Sequence, residues 1–234
     1  MKKIDALTSH FEPQYQILEN EINCSGLAKF GSMSSFTWNT DPKRLLFVLA
    51  RYKFAAKMLA GRNNVLEIGC GDGFGARIVR QHVANLTISD ADELFVSEAS
   101  QLQHERYPVA IEVHDFAKSS WPKKQKFDGV YLLDVLEHIS PQDENTFLKN
   151  VTSSLDEGGV AVVGMPSTES QVYASVGSKA GHVNCKTQEE LRDTLEQFFK
   201  SVLVFSMNDE VVHTGFARMA NYIFAVGHSP LNPR

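Results

Sequence analysis

The sequence contains little of what marks a disulfide-stapled, metal-ribbon or membrane-spanning protein. Its 234 residues include three cysteines, Cys24, Cys70 and Cys185, and no CxxC pair. Such a small, odd and widely spaced set predicts neither a disulfide framework nor a metal site. No apolar run approaches the roughly 20 residues that a membrane-spanning helix needs, and Met1–Asp5 lacks the apolar stretch of a signal peptide. These absences predict a cytoplasmic protein without a membrane span.

A strongly basic surface is also missing. The formal net charge is −5, and the densest group of lysines, at residues 123–126, is typical of an exposed loop. Nucleic-acid-binding proteins usually present a basic face. We therefore expect a small-molecule partner rather than a nucleic acid, and the composition leaves a monomer and a homodimer equally open.

The sequence does contain an alternation of short apolar runs and helical stretches from residue 64 onward. Such alternation predicts βαβ units around a parallel sheet, and strands that are apolar throughout predict a sheet covered on both faces. The predicted fold class is α/β, a doubly wound, mostly parallel sheet of seven strands. Those strands are expected at residues 65–68, 86–89, 109–113, 127–133, 160–164, 202–206 and 220–226.

A glycine-rich loop follows the first predicted strand, with Gly69, Gly71 and Gly73 at alternate positions. Glycine lets the backbone turn sharply and approach a ligand, and the next helix offers free N–H groups at its N-terminus. Residues 71–76 also fit the loose G-x-G-x-x-(G/A) dinucleotide pattern. However, a carboxylate at Glu67 or Asp72 would repel a pyrophosphate, whereas Glu67 could hold a cationic amino group directly or through water. The loop therefore favours S-adenosylmethionine over a nicotinamide dinucleotide.

The segment Val65-Leu66-Glu67-Ile68-Gly69-Cys70-Gly71-Asp72-Gly73 resembles the first motif of class I methyltransferases. The resemblance continues at similar intervals over about residues 40–200, and it is closest to the small-molecule group that includes the ubiquinone-biosynthesis O-methyltransferases. It implies a Rossmann-like fold and S-adenosyl-L-methionine as cofactor, with Gly69, Cys70, Gly71 and Gly73 contacting it. It also implies an N-terminal segment and helix over residues 1–60 that cover the site, ahead of a catalytic domain over residues 61–234.

The resemblance assigns further cofactor contacts to the ends of later strands. Asp90, with Ala91 beside it, ends the second strand, where an acid binds the ribose hydroxyls in doubly wound folds. Asp92 is expected to cap the next helix, although the two acids could exchange roles if the register slips. The resemblance gives Asp115 the adenine amino group and Phe116 the adenine ring; an ordinary loop acid and a core phenylalanine are the alternative.

Two more positions complete the predicted cofactor site. Leu133 and Asp134 leave the fourth strand at the carboxyl edge of the sheet, where ligands bind. The Asp41-Pro42-Lys43-Arg44-Leu45 stretch resembles a family motif whose arginine pairs with the cofactor carboxylate. Arg44 is the candidate for that ion pair because a guanidinium matches a carboxylate; a solvated arginine is the alternative.

Two histidines are candidates for the base that a hydroxyl acceptor usually needs. His138 follows the fourth strand within Leu136-Glu137-His138, and His182 lies in the polar connection after the fifth strand. Glu137 and His138 are neighbours on a predicted helix and would point about 100° apart, so alone they make a poor metal site. A structural role for either histidine stays open.

We therefore predict an enzyme that transfers a methyl group from S-adenosylmethionine to a small metabolite or sugar. Oxygen is the favoured acceptor atom, on the resemblance alone. A nicotinamide-dependent oxidoreductase and a cofactor-binding protein without turnover are the alternatives.

Overall fold

The computed structural model describes residues 12–231, so Met1–Asp5 lies outside the described residues. The chain divides into two compact units between Phe30 and Gly31. In the first unit, helix α1 (Gln14–Ser25) buries none of its residues. No helix among residues 12–231 has the length and apolar character to cross a bilayer.

The second unit alternates strands and helices. Its strands are β1 (Asn64–Ile68), β2 (Asn85–Asp90), β3 (Ala110–Val113), β4 (Phe127–Leu133), β5 (Leu155–Pro166), β6 (Phe199–Asn208), β7 (Val211–His213) and β8 (Tyr222–Pro230). Its α-helices are α2 (Ser32–Thr40), α3 (Lys43–Met58), α4 (Ala76–Arg80), α5 (Glu93–Gln101), α6 (Glu144–Ser153), α7 (Val176–Gly181) and α8 (Gln188–Glu196). Short 3₁₀ helices span Leu136–His138, Glu169–Tyr173 and Ala217–Met219.

The strands form one mixed sheet in the order β3-β2-β1-β4-β5-β8-β6-β7. The first five strands pair in parallel, and β8 is antiparallel to both β5 and β6. The doubly wound fold is thereby confirmed, with eight strands instead of the predicted seven. The additional strand, β7, is a three-residue hairpin partner of β6, too short to produce an apolar periodicity in the sequence.

Successive residues of each strand point to opposite faces of the sheet, and both faces are buried in hydrophobic clusters. Leu66 and Val130 pack into one hydrophobic cluster, and their neighbours Val65 and Tyr131 pack into the other. The continuous apolar sequence of β4 is thus explained by a sheet that has no solvated face at its centre.

Two helices precede α3 in the described part of the N-terminal region: residues 12–40 contain α1 and α2. Helix α3 belongs to the second unit, which begins at Gly31, and packs against the sheet through buried residues that include Tyr52, Ala55 and Ala56. Thr187 and Glu190 form a capping box at the start of α8.

Candidate functional site

A cavity of about 380 Å³ opens where β1, β2 and β4 end. Ligands of doubly wound sheets bind at this carboxyl edge, where the strand order reverses. The lining comes from α2, α3, the glycine loop, β2, α5 and the segment after β4. It comprises Met33, Ser34, Thr37, Leu45, Val48, Tyr52, Gly69, Cys70, Gly71, Asp72, Phe74, Gly75, Asp90, Phe95, Leu133, Asp134, Val135, His138 and Ile139.

The glycine loop forms the floor of this pocket. Gly69, Gly71 and Gly73 have φ angles of 75°, 53° and 71°, a region that residues with a Cβ rarely adopt. Gly69 and Gly71 line the pocket together with the buried Cys70. Gly73 does not line it: a Cβ there would lie 3.1 Å from Ala99, so this glycine allows α5 to approach the loop.

Asp90 connects the end of β2 to the glycine loop. Its carboxylate lines the pocket and accepts hydrogen bonds from the backbone N–H groups of Gly71, at 2.9 Å, and Asp92, at 3.0 Å. Asp92 caps α5 by accepting from the Leu94 N–H at 2.8 Å, which confirms its predicted capping role. Ala91 lies between the two acids, exposed and outside the pocket lining.

Glu67 lies beneath the pocket and is not among its lining residues, and its contact with a ligand amino group, directly or through water, stays a prediction. The side chain is 1% exposed, and its carboxyl oxygens accept hydrogen bonds from the hydroxyls of Tyr52, at 2.8 Å, and Tyr131, at 2.6 Å. Burial raises the pKa of Glu67 to about 7, against the effect of the two tyrosine hydrogen bonds. Tyr52 lines the pocket, so Glu67 acts on the pocket by orienting that ring.

Helix α2 covers the glycine loop through a contact that the sequence did not predict. The Asp72 carboxylate accepts from the Ser34 N–H at 2.7 Å and from the Ser34 hydroxyl at 3.1 Å. Gly31 permits this approach, because a Cβ there would lie 2.2 Å from the Asp72 Cβ. The buried Asp72 therefore binds α2 to the glycine loop.

The two residues expected to contact adenine do not line the pocket. Phe116 is 2% exposed and stacks on Trp121 in the core, which agrees with the alternative of a core phenylalanine. Asp115 pairs with Lys118 at 2.9 Å and is not among the lining residues. Phe95, from α5, supplies the aromatic lining near Asp90; its amphipathic helix gave no sequence signal for this role.

Arg44 is exposed in the first turn of α3 and does not line the pocket. The next residue, Leu45, does line it. Of the Asp41–Leu45 motif, the structure places Leu45 beside the pocket and Arg44 at the surface.

Leu133 and Asp134 both line the pocket where β4 ends. Asp134 has a φ of 59°, unusual for a residue with a Cβ. Arg51 holds its carboxylate: one guanidinium nitrogen lies 2.8 Å and 2.7 Å from the two Asp134 oxygens. Positive-φ residues of this kind are concentrated at functional sites.

His138 and His182 lie side by side where the segment after β4 lines the pocket. Val183 and Asn184 donate backbone N–H groups to the Glu137 carbonyl, at 2.8 Å and 3.0 Å. This contact brings His182 beside His138, with the ring centroids 5.2 Å apart. His138 lines the pocket, so the two candidate catalytic residues lie together although 44 positions separate them in the sequence.

Hydrogen bonds fix the tautomers of both rings. His138 Nδ1 donates to the Gly181 carbonyl at 2.9 Å. His182 Nδ1 faces Gln171 Oε1 at 2.9 Å, and Gln171 is oriented by donating its amide to the Ser167 carbonyl. Because a carbonyl oxygen only accepts, each neutral ring keeps a free lone pair on Nε2.

Glu137 adds a carboxylate to this pair. It is fully buried, and neither carboxyl oxygen has a hydrogen-bond partner. Burial raises the pKa of Glu137 well above its ordinary value, and the charge of Asp134 adds to this effect. One ligand atom from each of Glu137, His138 and His182 lies within 4.8 Å of the others. This donor set fits a divalent cation, whereas the sequence predicted no metal site because His182 is remote from the other two.

Comparison with known proteins agrees with this geometry. The profile of the methyltransferase domain family matches residues 65–159. The ubiquinone biosynthesis O-methyltransferase of Rickettsia akari is 23% identical over 66% of this chain and 64% of its own length. The Coxiella burnetii enzyme of the same name is 25% identical over 60% of this chain and 61% of its own length. The chain therefore spans about three fifths of the length of these curated relatives.

Among solved structures, the chain is similar to the N-methyltransferase NodS from Bradyrhizobium japonicum in complex with S-adenosyl-L-homocysteine. The TM-score is 0.63 at 17% identity, covering 94% of this chain and 100% of that one. Residues 65–159 match the methyltransferase domain family. The similarity to solved structures shows a Rossmann-like α/β fold.

Proposed function

We propose that this chain binds S-adenosylmethionine in the pocket at the ends of β1, β2 and β4 and transfers its methyl group to a small molecule. The observation that carries the proposal is the joining of Asp90 to Gly71 at the pocket floor. This contact supports Asp90 as the acid that binds the ribose, because its carboxylate lies beside a loop that permits close backbone approach. Leu133, Phe95 and Val48 supply apolar lining for the adenosyl group.

We favour a hydroxyl oxygen as the methyl acceptor. This preference is supported by the two O-methyltransferase relatives, whereas the similar fold of an N-methyltransferase carries no information about the acceptor. Methyl transfer is an in-line displacement at a carbon that the sulfonium already activates, so positioning supplies much of the acceleration. A hydroxyl must in addition lose its proton.

His138 and His182 are the residues proposed to activate that hydroxyl. Together with Glu137, they would hold a divalent cation, which on binding supplies Lewis-acid polarisation of an acceptor oxygen. The buried, unpartnered carboxyl of Glu137 supports this assignment, since a buried carboxylate is costly without a charged or hydrogen-bonding partner. Gly181 and Gln171 orient the two rings so that Nε2 of each is available.

An acceptor screen tests the proposal. Purified protein would be incubated with labelled S-adenosylmethionine, hydroxylated aromatic acceptors and sugars, with Mg²⁺ or Mn²⁺ and with a chelator. We expect label transfer to at least one hydroxylated acceptor and its loss in the chelator. Transfer to amines alone would overturn the choice of oxygen, and unchanged transfer after chelation would overturn the role of a cation.

A further inference from the structure

The charged side chains that line the pocket are of one sign. Among the residues that the structure describes, the lining includes three acids, Asp72, Asp90 and Asp134, and no lysine or arginine. Asp72 is buried and binds α2, and Asp90 accepts from the backbone N–H groups of Gly71 and Asp92. A pocket lined by negative charge favours a ligand that carries positive charge.

Asp90 and Asp134 lie on opposite sides of the glycine loop. Strand β1 lies between β2 and β4, and Ile68 of β1 pairs with Ser89 on one side and with Leu132 on the other. The three strands therefore end at the same level, and two strand spacings separate the ends of β2 and β4 by about 10 Å. A ligand whose ribose binds Asp90, and that extends across the glycine loop, brings its next groups to Asp134. In S-adenosylmethionine those groups are the sulfonium and the amino acid with its ammonium.

The Asp134 carboxylate is fixed in this position and remains accessible. One guanidinium nitrogen of Arg51 lies 2.8 Å and 2.7 Å from its two oxygens, and the guanidinium carbon of Arg51 lies 3.9 Å from the centre of the Tyr222 ring. The Asp134 backbone N–H donates to the Gly164 carbonyl at 3.0 Å. The Asp134 side chain is nonetheless 34% exposed. Because a carboxylate has lone pairs for about four hydrogen bonds, it can still accept from a ligand in the pocket.

We propose that Asp134 is a specificity-determining residue that binds the ammonium of the amino-acid half of the methyl donor. This inference rests on the proposed function, because it takes the ligand to be S-adenosylmethionine with its ribose at Asp90. Charge-assisted hydrogen bonds of this kind are among the strong ones. The pocket then distinguishes a complete donor from an adenosine derivative that lacks the amino acid.

Two ligands that differ in the amino-acid half test the inference without any turnover. Isothermal titration calorimetry measures the affinity of the full chain for S-adenosylhomocysteine and for 5′-methylthioadenosine, which keeps the adenine, ribose and sulfur and ends in a methyl group. Asp134→Asn removes the charge, and asparagine tolerates the φ of 59° at this position. We expect this variant to bind S-adenosylhomocysteine at least about tenfold more weakly than wild type, and to bind 5′-methylthioadenosine within about twofold of wild type.

Asp90→Ala is the matched control, because the ribose assigned to Asp90 is common to both ligands. It should weaken the binding of both by a similar factor. The ratio of the two affinities therefore changes in Asp134→Asn and stays constant in Asp90→Ala.

A double variant keeps the test valid if Asp134→Asn fails to fold with the Arg51 charge left unpaired. Arg51→Met with Asp134→Asn removes both charges of the pair, and it should show the same selective loss of S-adenosylhomocysteine. A folded variant that binds S-adenosylhomocysteine as tightly as wild type overturns the inference, as does one that loses both ligands by the same factor. If wild type binds neither ligand, the proposed function falls and the inference falls with it.

Discussion

The Asp90 carboxylate accepts a hydrogen bond from the backbone N–H of Gly71 at 2.9 Å, and so joins the end of β2 to the glycine loop. Gly71 has a φ of 53°, and its N–H is turned toward β2 by this conformation. One acid therefore fixes the loop and still presents a carboxylate to the pocket. The cofactor assignment depends on this relationship more than on any other pair of residues.

Replacing Asp90 with alanine should weaken binding of S-adenosylhomocysteine by about 1–3 kcal/mol, the usual contribution of hydrogen bonds to a charged group. Isothermal titration calorimetry measures the change. Asp92→Ala is the matched control, since Asp92 caps α5 outside the pocket. It should instead lower the free energy of unfolding by about 0.5–2 kcal/mol, as loss of an N-cap does. A folded Asp90→Ala protein with wild-type affinity would show that the ribose contact is made elsewhere.

Replacing Gly31 with alanine should displace α2 from the glycine loop. The new Cβ would lie 2.2 Å from the Asp72 Cβ, and overpacking of this kind costs about 1–3 kcal/mol. Because Met33, Ser34 and Thr37 line the pocket, affinity for S-adenosylhomocysteine should fall by about tenfold, the equivalent of ~1.4 kcal/mol. Gly158→Ala, which introduces a Cβ into open space, should change neither affinity nor stability. Equal affinity for both variants would mean that α2 does not cover the ligand.

Stability without ligand should depend on pH through Glu67. Its pKa rises on folding from an ordinary carboxyl value to about 7 because the group is buried, so the folded state binds the proton more tightly than the unfolded state does. This contribution is fully present below the unfolded pKa and is lost as pH rises through about 7. Between about pH 4.5 and pH 7, it should fall by about 3 kcal/mol.

Urea unfolding of wild type and Glu67→Gln at several pH values measures this contribution. The glutamine keeps an acceptor for one tyrosine hydroxyl and does not ionise. The stability of wild type relative to the variant should therefore decrease across that interval. A difference that stays constant with pH would show that Glu67 titrates normally in the folded protein.

His182→Ala should lower turnover by about 10- to 100-fold, the scale for loss of a metal ligand or its support. Affinity for S-adenosylhomocysteine should stay close to wild type, because His182 is absent from the residues that line the pocket. His82→Ala, on the turn after α4, is the control. Full activity of His182→Ala on an accepted substrate would show that His182 has only a structural role.

Local sequence was sufficient to predict the features that neighbouring residues determine. Gly69 and Gly71 have positive φ angles, which favour glycine, and Asp90 ends a strand that its apolar residues define. The capping box at Thr187 and Glu190 likewise joins residues only three positions apart. Each of these features can be predicted without knowing which distant segment of the chain packs against it.

The contacts that could not be predicted from the sequence join segments that are far apart along the chain. Ser34 meets Asp72 across 38 positions and Arg51 meets Asp134 across 83. Phe116 also has a partner that its motif does not indicate: it stacks on Trp121 in the core. Burial and partner choice are decided by tertiary packing, which a motif does not encode.

The methyl donor is tested most directly by calorimetric titration of the purified chain with S-adenosylhomocysteine, with a nicotinamide dinucleotide titrated in parallel. The account predicts saturable binding of S-adenosylhomocysteine, weakened by Asp90→Ala, and no heat of binding for the dinucleotide. Binding of the dinucleotide, with no response to S-adenosylhomocysteine, would contradict the assignment of the glycine loop and of the reaction built on it.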